Sequence, residues 1–564
     1  MRRSPRAAGL ALCATLALTA CSSSSDGSTS DSGPDATPQK GGTVYFLANA
    51  AFSHLDPAMG FDGGVNNFFR LIYRTLTMRQ TSPEGTKVVP DLATDLGKSS
   101  PDAKTWTFTL KDNLFFEDGT PITSQDVKYG VSRAWDPEVG IGSPYAKKYI
   151  ATTPAGYQGP YRSQQDLTSI ETPDDKTIVF HLNQPMADFA SVVSQNTFTP
   201  IPRNAGVTAK SLDTKPIASG PYKVESFQQG ASIAIVRNDK WDASTDSVRK
   251  AYPDKMQWTF GLDGATMDQR MIAGQGDDAN AIAGTIQASS IAQVQTPQLK
   301  SRTVSALGGC TTYMGLNTTR PNLKDVRVRQ AISYAVNKMT IRDATGGPLL
   351  ADVANRMLPP GTAGAKDFNL YPSTNDEGDV AKAKELLAQA GLPNGFTFTL
   401  DIRNQPKMQS QAEAVQEALL RVGIQVKLNI IDTATYYETI GTRSQQHDAA
   451  ITGWCPDWPS GATFLPPLFD GANITDKGNS NLAQLNDPAV NQRIAEIANL
   501  TKVDEQNTAY GELDEQILKL APVVPLLFEK VVLVVGSNIG GLPTYAIMDG
   551  GTDLTGIGLK APAK

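Results

Sequence analysis

Residues 415–430 constrain the fold most, because a helical pattern there passes directly into a strand pattern. The first half repeats apolar residues at the spacing of a helix that buries one face: Val415, Ala418, Leu419 and Val422. Gly423 follows as a helix stop, and apolar residues then alternate over residues 424–430, as in a half-buried strand. A helix that feeds a strand in this way predicts an α/β fold built of layers.

Other stretches extend both patterns along the chain. Residues 105–111 (TWTFTLK) and 177–182 (TIVFHL) place apolar side chains at every second position and are predicted strands. Asp325 precedes an amphipathic pattern and is a predicted helix N-cap. Residues 379–390 form a further predicted helix that stops at Gly391. Short internal repeats are absent from the sequence, so these elements do not indicate a repeat architecture.

The first twenty residues have the layout of a signal peptide. A basic start leads into an apolar run over residues 7–17, which is too short to cross a bilayer. Residues 18–21 (LTAC) resemble the bacterial lipobox, so we expect Cys21 to become a lipid-modified N-terminus; an ordinary secretory leader is the alternative. Residues 21–40 are rich in Ser, Asp, Gly, Thr and Pro and are expected to form a disordered tether.

Length and charge limit the classes of partner. The leader carries three arginines and no acidic residue, so its removal changes the net charge from −6 to −9. A mildly acidic surface argues against nucleic acid as a partner. At roughly 100–200 residues per domain, the remaining chain predicts about two to four folded units.

Few residues have the spacing of a catalytic or metal centre. His54, His181 and His447 lie far apart in the sequence, so none has the pair spacing of a zinc site, and we expect no metal ion and no cofactor. The sequence also lacks a complete phosphate-binding loop and a G-x-S-x-G elbow. A serine hydrolase that uses His447 and Asp457 stays open, because the members of a triad need not be close in sequence.

Two cysteines remain for the folded part once Cys13 leaves with the leader and Cys21 carries lipid. Outside the cytoplasm, such a pair as Cys310 and Cys455 is more often bridged than free, and the spacing alone leaves two reduced buried thiols as the alternative. A bridge that closes so long a loop is worth about 4 to 5 kcal/mol.

Six stretches of the sequence resemble motifs of one protein family, and they follow one another in the same order as in that family. They are LDPA (55–58), TWTFTLKDNLFFEDGTPITSQDV (105–127), GPYKVESF (220–227), DVRVRQAISYAVNK (325–338), AKAKELLAQAGLPNG (381–395) and GWCPDWPSGATFL (453–465). Together they resemble the extracytoplasmic solute-binding proteins of peptide ABC transporters, the dipeptide and oligopeptide binders. The resemblance covers nearly the whole mature chain.

The resemblance implies a type II periplasmic-binding-protein fold, in which two α/β lobes are joined by a hinge and accompanied by an extra subdomain. Lobe I is expected over residues 41–75, 205–309 and 528–564. The extra subdomain is expected over residues 76–204. Lobe II is expected over residues 310–527.

The resemblance also assigns a role to Asp457, whose counterpart in oligopeptide binders pairs with the α-ammonium group of the ligand. Every free peptide carries this ammonium, and a desolvated carboxylate forms a charge-assisted hydrogen bond with it. Pro456 and Pro459 would fix the loop in advance. A turn-forming aspartate is the structural alternative.

Further residues are assigned by position in the same frame. Trp454 is expected to supply a flat wall next to Gly453, and the cysteine pair is expected to be bridged, as in some oligopeptide binders. The remaining expected ligand contacts are Tyr313, Tyr145, Tyr436, Arg443 and Asp62. Core packing is the alternative for the aromatic residues, and a simple loop is the alternative for Asp62.

The function implied is that of a monomeric, lipid-anchored extracytoplasmic receptor without enzymatic activity. It would bind oligopeptides between its lobes and present them to the permease subunits of an ABC transporter. Its anchor would be the lipid on Cys21. Relatives of this family also bind oligosaccharides, opines, nickel or haem, so such a solute is the alternative on the same fold, and a secreted hydrolase is the alternative from another class.

Overall fold

The computed structural model describes residues 33–83, 85–433, 435–544, 547–548 and 551–561. The predicted signal peptide and Cys21 lie outside the described residues. Within this part of the chain, no helix has both the length and the apolar character that crossing a membrane requires.

Three sheets of four or more strands organise the described chain. The sheet of the first lobe contains, in spatial order, Ala281–Ala283, Thr43–Leu47, Lys255–Thr259, Ser232–Arg237 and Tyr222–Gln228. The sheet of the second lobe contains Ala351–Val353, Val523–Val534, Thr303–Leu316, Ala449–Trp454, Thr397–Arg403 and Gln425–Ile431. The sheet of the extra subdomain contains Lys98–Ser99, Thr105–Thr109, Thr177–His181 and Ile170–Glu171.

Three small antiparallel pairs complete the strands. They are Thr77–Ser82 with Gly85–Pro90, Ile539–Gly540 with Gly558–Leu559, and Ile547–Met548 with Gly551–Thr552. The α-helices are Gly63–Ile72, Ser124–Ser132, Tyr145–Tyr149, Phe189–Val192, Gly264–Ala273, Ile291–Val294, Pro297–Lys300, Val326–Ala335, Lys338–Thr345, Val380–Gln389, Pro406–Leu420, Tyr436–Gly441, Leu465–Phe469, Pro488–Ala498 and Val503–Lys519.

The elements predicted from periodicity are present where the pattern places them. The helix Pro406–Leu420 buries Val415, Ala418 and Leu419, and it leads into the strand Gln425–Ile431, so the predicted helix-to-strand passage is confirmed. Asp325 caps the helix Val326–Ala335 by accepting a hydrogen bond from the backbone N–H of Arg327 at 2.9 Å. A period-two or period-3.6 pattern is legible here because one face of each element is buried.

Two long antiparallel strands connect the lobes. The start of Thr303–Leu316 pairs with the end of Val523–Val534 in the core of the first lobe, where Val304 is buried. The other halves enter the core of the second lobe, where Met314 is buried. Their register shifts between Leu307 and Thr311, and Gly309 within this bulge has a φ of 71°. The two boundaries expected between lobe I and lobe II, at residues 309/310 and 527/528, fall inside these strands, which we propose as the hinge.

Residues 33–40 correct the predicted extent of the tether. The backbone N–H of Gln39 donates to the carbonyl of Leu559 at 2.8 Å, and Ala36 accepts from the N–H of Gly541 at 2.8 Å. Ala36 is buried, as are Pro34 and Pro38. The prediction of disorder up to residue 40 is therefore wrong for residues 33–40, because composition does not reveal a packing partner far along the chain.

The LDPA motif has a structural role. Asp56 is buried without exposure and pairs with the equally buried Arg133, whose Nη1 lies 3.0 Å from Asp56 Oδ1. Asp56 also accepts a hydrogen bond from the N–H of Ala58 at 2.9 Å. This pair joins the first lobe to the extra subdomain, since a charge buried there requires its partner in place.

Candidate functional site

The candidate site lies at the carboxyl ends of parallel strands in the second lobe. Thr397–Arg403 pairs in parallel with both Gln425–Ile431 and Ala449–Trp454, so the three strands end at one edge. Ligands of open α/β sheets bind at such an edge. The loop that contains Asp457 begins directly after Trp454.

A cavity of about 660 Å³ opens at this edge. The first lobe and the extra subdomain contribute Phe61, Pro144, Tyr145 and Lys148. The second lobe contributes Tyr313, Tyr437, Ile440, Gly441, Thr452, Gly453, Trp454, Cys455, Asp457, Pro467, Gly478, Asn479, Ser480 and Leu482. The volume and the aromatic lining are typical of a site for a small organic ligand.

Asp457 is held from across the cavity. The hydroxyl of Tyr145 donates a hydrogen bond to Asp457 Oδ2. The backbone carbonyl of Asp457 accepts from Arg79 Nη1 at 3.3 Å and from Gln195 Nε2 at 3.2 Å. Burial raises the pKa of Tyr145 far above its usual value, and the Asp457 carboxylate raises it further, so the phenol stays a neutral donor.

A disulfide ties the same loop to the second lobe. Cys310 and Cys455 are bonded with a Cα–Cα distance of 4.2 Å across a sequence separation of 145 residues, and the predicted bridge is confirmed. Cys310 precedes Thr311, which pairs with Trp454 in the sheet. The bridge therefore fixes the start of the loop, two residues before Asp457.

The two tryptophans of the motif have different places. The indole Nε1 of Trp454 donates to the carbonyl of Thr463 at 2.9 Å, and the ring forms part of the cavity wall. Trp458 is completely buried and packs in the core of the extra subdomain, with its ring centroid 4.7 Å from that of Tyr145. The loop after Trp454 in the second lobe thus inserts a side chain into the core of the extra subdomain.

Lys148 and Asp457 are the two charged residues among the described residues that line the cavity. The Lys148 ammonium lies 5.8 Å from the ring centroid of Tyr145 and 5.2 Å from that of Tyr149. The Lys148 side chain is exposed. Partial desolvation by the surrounding protein lowers the pKa of Lys148, and the Asp457 carboxylate opposes the shift.

The structure brings five of the predicted contact residues together and separates three from them. Tyr145, Tyr313, Gly453, Trp454 and Asp457 line the cavity, and Tyr313 is only 2% exposed.

The other three predicted residues are absent from its lining. Tyr436 is buried, and its hydroxyl donates to the carbonyl of Ile451 at 2.5 Å. Arg443 is exposed on the loop after the helix Tyr436–Gly441. Asp62 caps the helix Gly63–Ile72 by accepting from the N–H of Val65 at 3.0 Å.

Sequence reasoning missed two residues of the cavity wall, Lys148 and Tyr437. Tyr437 is 57% exposed and lines the cavity, and the Arg403 guanidinium lies 4.8 Å from its ring centroid. Arg403 Nη2 also donates to the Tyr437 hydroxyl at 2.6 Å. A signal for this part of the wall was available, because Arg403 is the last residue of a parallel strand and ligands bind at the carboxyl ends of such strands.

The structure does not bring His447 to Asp457, the two residues that a serine hydrolase would use here. His447 Nδ1 pairs with Asp401 Oδ1 at 2.7 Å, and His447 does not line the cavity that contains Asp457. Among the described residues, no group of three or more His, Cys, Asp or Glu side chains could hold a metal ion.

Two lobes, an extra subdomain and a cavity between them define a binding protein with a type II periplasmic-binding-protein fold. The family model for bacterial extracellular solute-binding proteins, family 5 (middle region), matches residues 87–476. The chain therefore belongs to the family 5 bacterial extracellular solute-binding proteins.

Proteins similar to this chain are named for several different ligands. The glutathione-binding protein GsiB of Salmonella paratyphi A is 24% identical over 449 residues, which cover 78% of this chain and 81% of that protein. Heme-binding protein A of Haemophilus influenzae is 26% identical over 537 residues, covering 91% and 92%. The structure of clavulanic acid biosynthesis oligopeptide binding protein 2 is 33% identical with a TM-score of 0.87, covering 94% of this chain and 98% of that one.

Proposed function

We propose that this protein is an extracytoplasmic receptor that binds short peptides in the cavity between its lobes and delivers them to an ABC transporter permease. It performs no chemistry on the peptide. A lipid on Cys21 anchors it to the membrane, and it acts as a monomer. The similarity to an oligopeptide binding protein over nearly the whole of both chains supports the choice of peptides.

The observation that carries this proposal is the position of Asp457. Its carboxylate lies in a cavity of about 660 Å³ and accepts a hydrogen bond from a phenol on the opposite side. A carboxylate held in an enclosed site favours a cationic group of the ligand, and the amino terminus is the one cation present in every unmodified peptide. Neutral groups such as Asn479, Ser480 and the Trp454 ring leave side-chain choice open.

The Asp457→Asn variant tests the role of the carboxylate. We expect it to fold normally and to bind an unmodified tripeptide more weakly by about 2 to 5 kcal/mol, because a buried ammonium loses its counter-charge. Isothermal titration calorimetry with Ala-Ala-Ala and its N-acetylated form measures the effect. The wild type should prefer the free amine strongly, and the variant should lose most of this preference.

Asp476→Asn is the matched control, since Asp476 is exposed on the second lobe and absent from the cavity lining. It should bind like the wild type. Glutathione and haemin belong in the same titrations, because similar proteins are named for these ligands. Equal wild-type affinity for the free and acetylated peptides would contradict the proposal, as would tight binding of haemin with no peptide binding.

A further inference from the structure

Lys148 lies in the lining of the cavity, next to the rings of two tyrosines. It belongs to the short helix Tyr145–Tyr149, in which Tyr145, Lys148 and Tyr149 fall on one side at spacings of three and four residues. Tyr145 and Lys148 line the cavity, and the Lys148 ammonium lies 5.8 Å from the ring centroid of Tyr145 and 5.2 Å from that of Tyr149. The adjacent Lys147 turns away, and its Nζ donates to the carbonyl of Gly140 at 2.9 Å.

The ammonium of Lys148 lacks a contact counter-ion in the described part of the chain. No described carboxylate forms an ion pair with it, and its close contacts are the faces of two tyrosines. The surrounding protein partly desolvates this exposed ammonium, and the absence of a contact anion leaves that cost uncompensated, which accords with its lowered pKa. An anionic group of a ligand in the cavity would supply the missing partner.

We propose that Lys148 is a specificity-determining residue that binds a ligand carboxylate lying close to the ligand's ammonium group. This inference rests on the proposed binding of peptides through Asp457. It adds a second charged contact and thereby narrows the class of ligand.

The geometry around Tyr145 sets the spacing between the two ligand charges. The Tyr145 hydroxyl donates a hydrogen bond to Asp457, and the Lys148 ammonium lies over the face of the same ring. The cavity thus presents one anion and one cation around a single side chain. A zwitterionic segment complements this arrangement, because each of its charges meets the opposite charge at short range.

Two parts of a peptide supply such a carboxylate. One is an acidic first residue, including a γ-glutamyl residue, whose carboxylate lies a few bonds from the ammonium. The other is the terminal carboxylate of a dipeptide. Both present the same chemistry to Lys148, so the experiment must separate them.

The test is calorimetry on the full chain with paired peptides. Glu-Ala-Ala against Gln-Ala-Ala isolates the charge of the first side chain, and Ala-Ala against its C-terminal amide isolates the terminal carboxylate. We expect the wild type to prefer the anionic member of at least one pair by about tenfold, and the pair showing the preference identifies the source of the carboxylate.

The Lys148→Met variant keeps the length of the side chain and removes the charge, whereas Lys147→Met is the matched control on the same helix. Lys148→Met should erase the preference and leave Gln-Ala-Ala binding unchanged or tighter, because a cation next to Asp457 repels the ammonium of the ligand. Lys147→Met should keep the preference. Thermal unfolding of both variants verifies that they fold.

Three outcomes would overturn the inference. They are a wild type with no preference in either pair, a preference that survives in Lys148→Met, and an equal loss of affinity for both members of a pair. Binding of Ala-Ala-Ala distinguishes the two proposals. If Ala-Ala-Ala binds through Asp457 but the wild type has no preference for the anionic member of either peptide pair, only the role of Lys148 fails. If no peptide binds the wild type, both proposals fail.

Discussion

At the scale of single residues, two buried positions show two ways of accommodating a charged group: an ion pair, and a pKa shifted toward the neutral form. Asp56 and Arg133 exemplify the first case, with no exposed surface on either side chain. Lys338 exemplifies the second, because it is 6% exposed and, within the described residues, its Nζ donates to two neutral acceptors, the Ala354 carbonyl at 2.7 Å and Asn355 Oδ1 at 2.8 Å. Its burial lowers the pKa of the ammonium to about 8.

The lowered pKa of Lys338 predicts that the stability of the fold depends on pH. Between about pH 8 and pH 10.5, the unfolded chain holds the Lys338 proton and the folded chain has released it, so the unfolding free energy rises with pH. Relative to Lys338→Met, the wild type should gain about 3 kcal/mol from pH 7 to pH 10.5. Urea unfolding across this range measures the difference. Lys384→Met, at an exposed position of a helix, is the control. If the difference in unfolding free energy between the wild type and Lys338→Met does not change with pH, the prediction is contradicted.

At the scale of elements, the disulfide joins the bulged strand Thr303–Leu316 to the loop that follows Ala449–Trp454. Cys310 comes immediately after Gly309, at the point where the strand changes its register. Cys455 lies between the cavity residues Trp454 and Asp457. The bond therefore couples the proposed hinge to the proposed ammonium site.

Replacing both cysteines with serine tests this coupling. The loss of a bridge with a sequence separation of 145 residues should lower the unfolding free energy by about 4 to 5 kcal/mol through the entropy of the unfolded chain. Peptide affinity should fall as well, because the loop is no longer fixed before binding. Chemical unfolding and calorimetry measure the two effects, and reductant should weaken binding in the wild type but leave the double variant unaffected. Unchanged affinity in the double variant would show that the bridge does not position Asp457.

At the scale of the whole molecule, Trp458 connects the two halves across the cavity. It extends from a loop of the second lobe, yet it is fully buried in the core of the extra subdomain. Separation of the lobes would move this ring into water. The contact therefore favours the arrangement in which the cavity is enclosed.

The Trp458→Ala variant should shift the molecule toward separated lobes. Truncating a buried tryptophan costs about 3 to 5 kcal/mol, and this loss falls on the enclosed arrangement, so the peptide Kd should rise by roughly a hundredfold to a few thousandfold. Small-angle scattering without peptide should show a larger radius of gyration than the wild type. Trp241→Ala is the control, since Trp241 packs against the first-lobe core and should affect only thermal stability. An unchanged radius and affinity in Trp458→Ala would exclude this role.

The sequence alone predicted much of the local structure and part of the site. Periodicity located the helix Pro406–Leu420 and the strand that follows it, because an element that buries one face has apolar residues at a regular spacing along the sequence. Family-like motifs led to the fold, the cysteine pair and the loop of Asp457. They also suggested Tyr436 and Arg443, whose side chains the tertiary structure places away from the cavity wall.

Only the tertiary structure decided which distant residues meet. Tyr145 and Asp457 are separated by 312 positions, and their contact brings Lys148 into the same cavity. Residues 33–40 became ordered in the same way, through hydrogen bonds to the far end of the chain. Periodicity records whether a face is buried but not which segment covers it, and that choice is made by the packing of whole elements against one another.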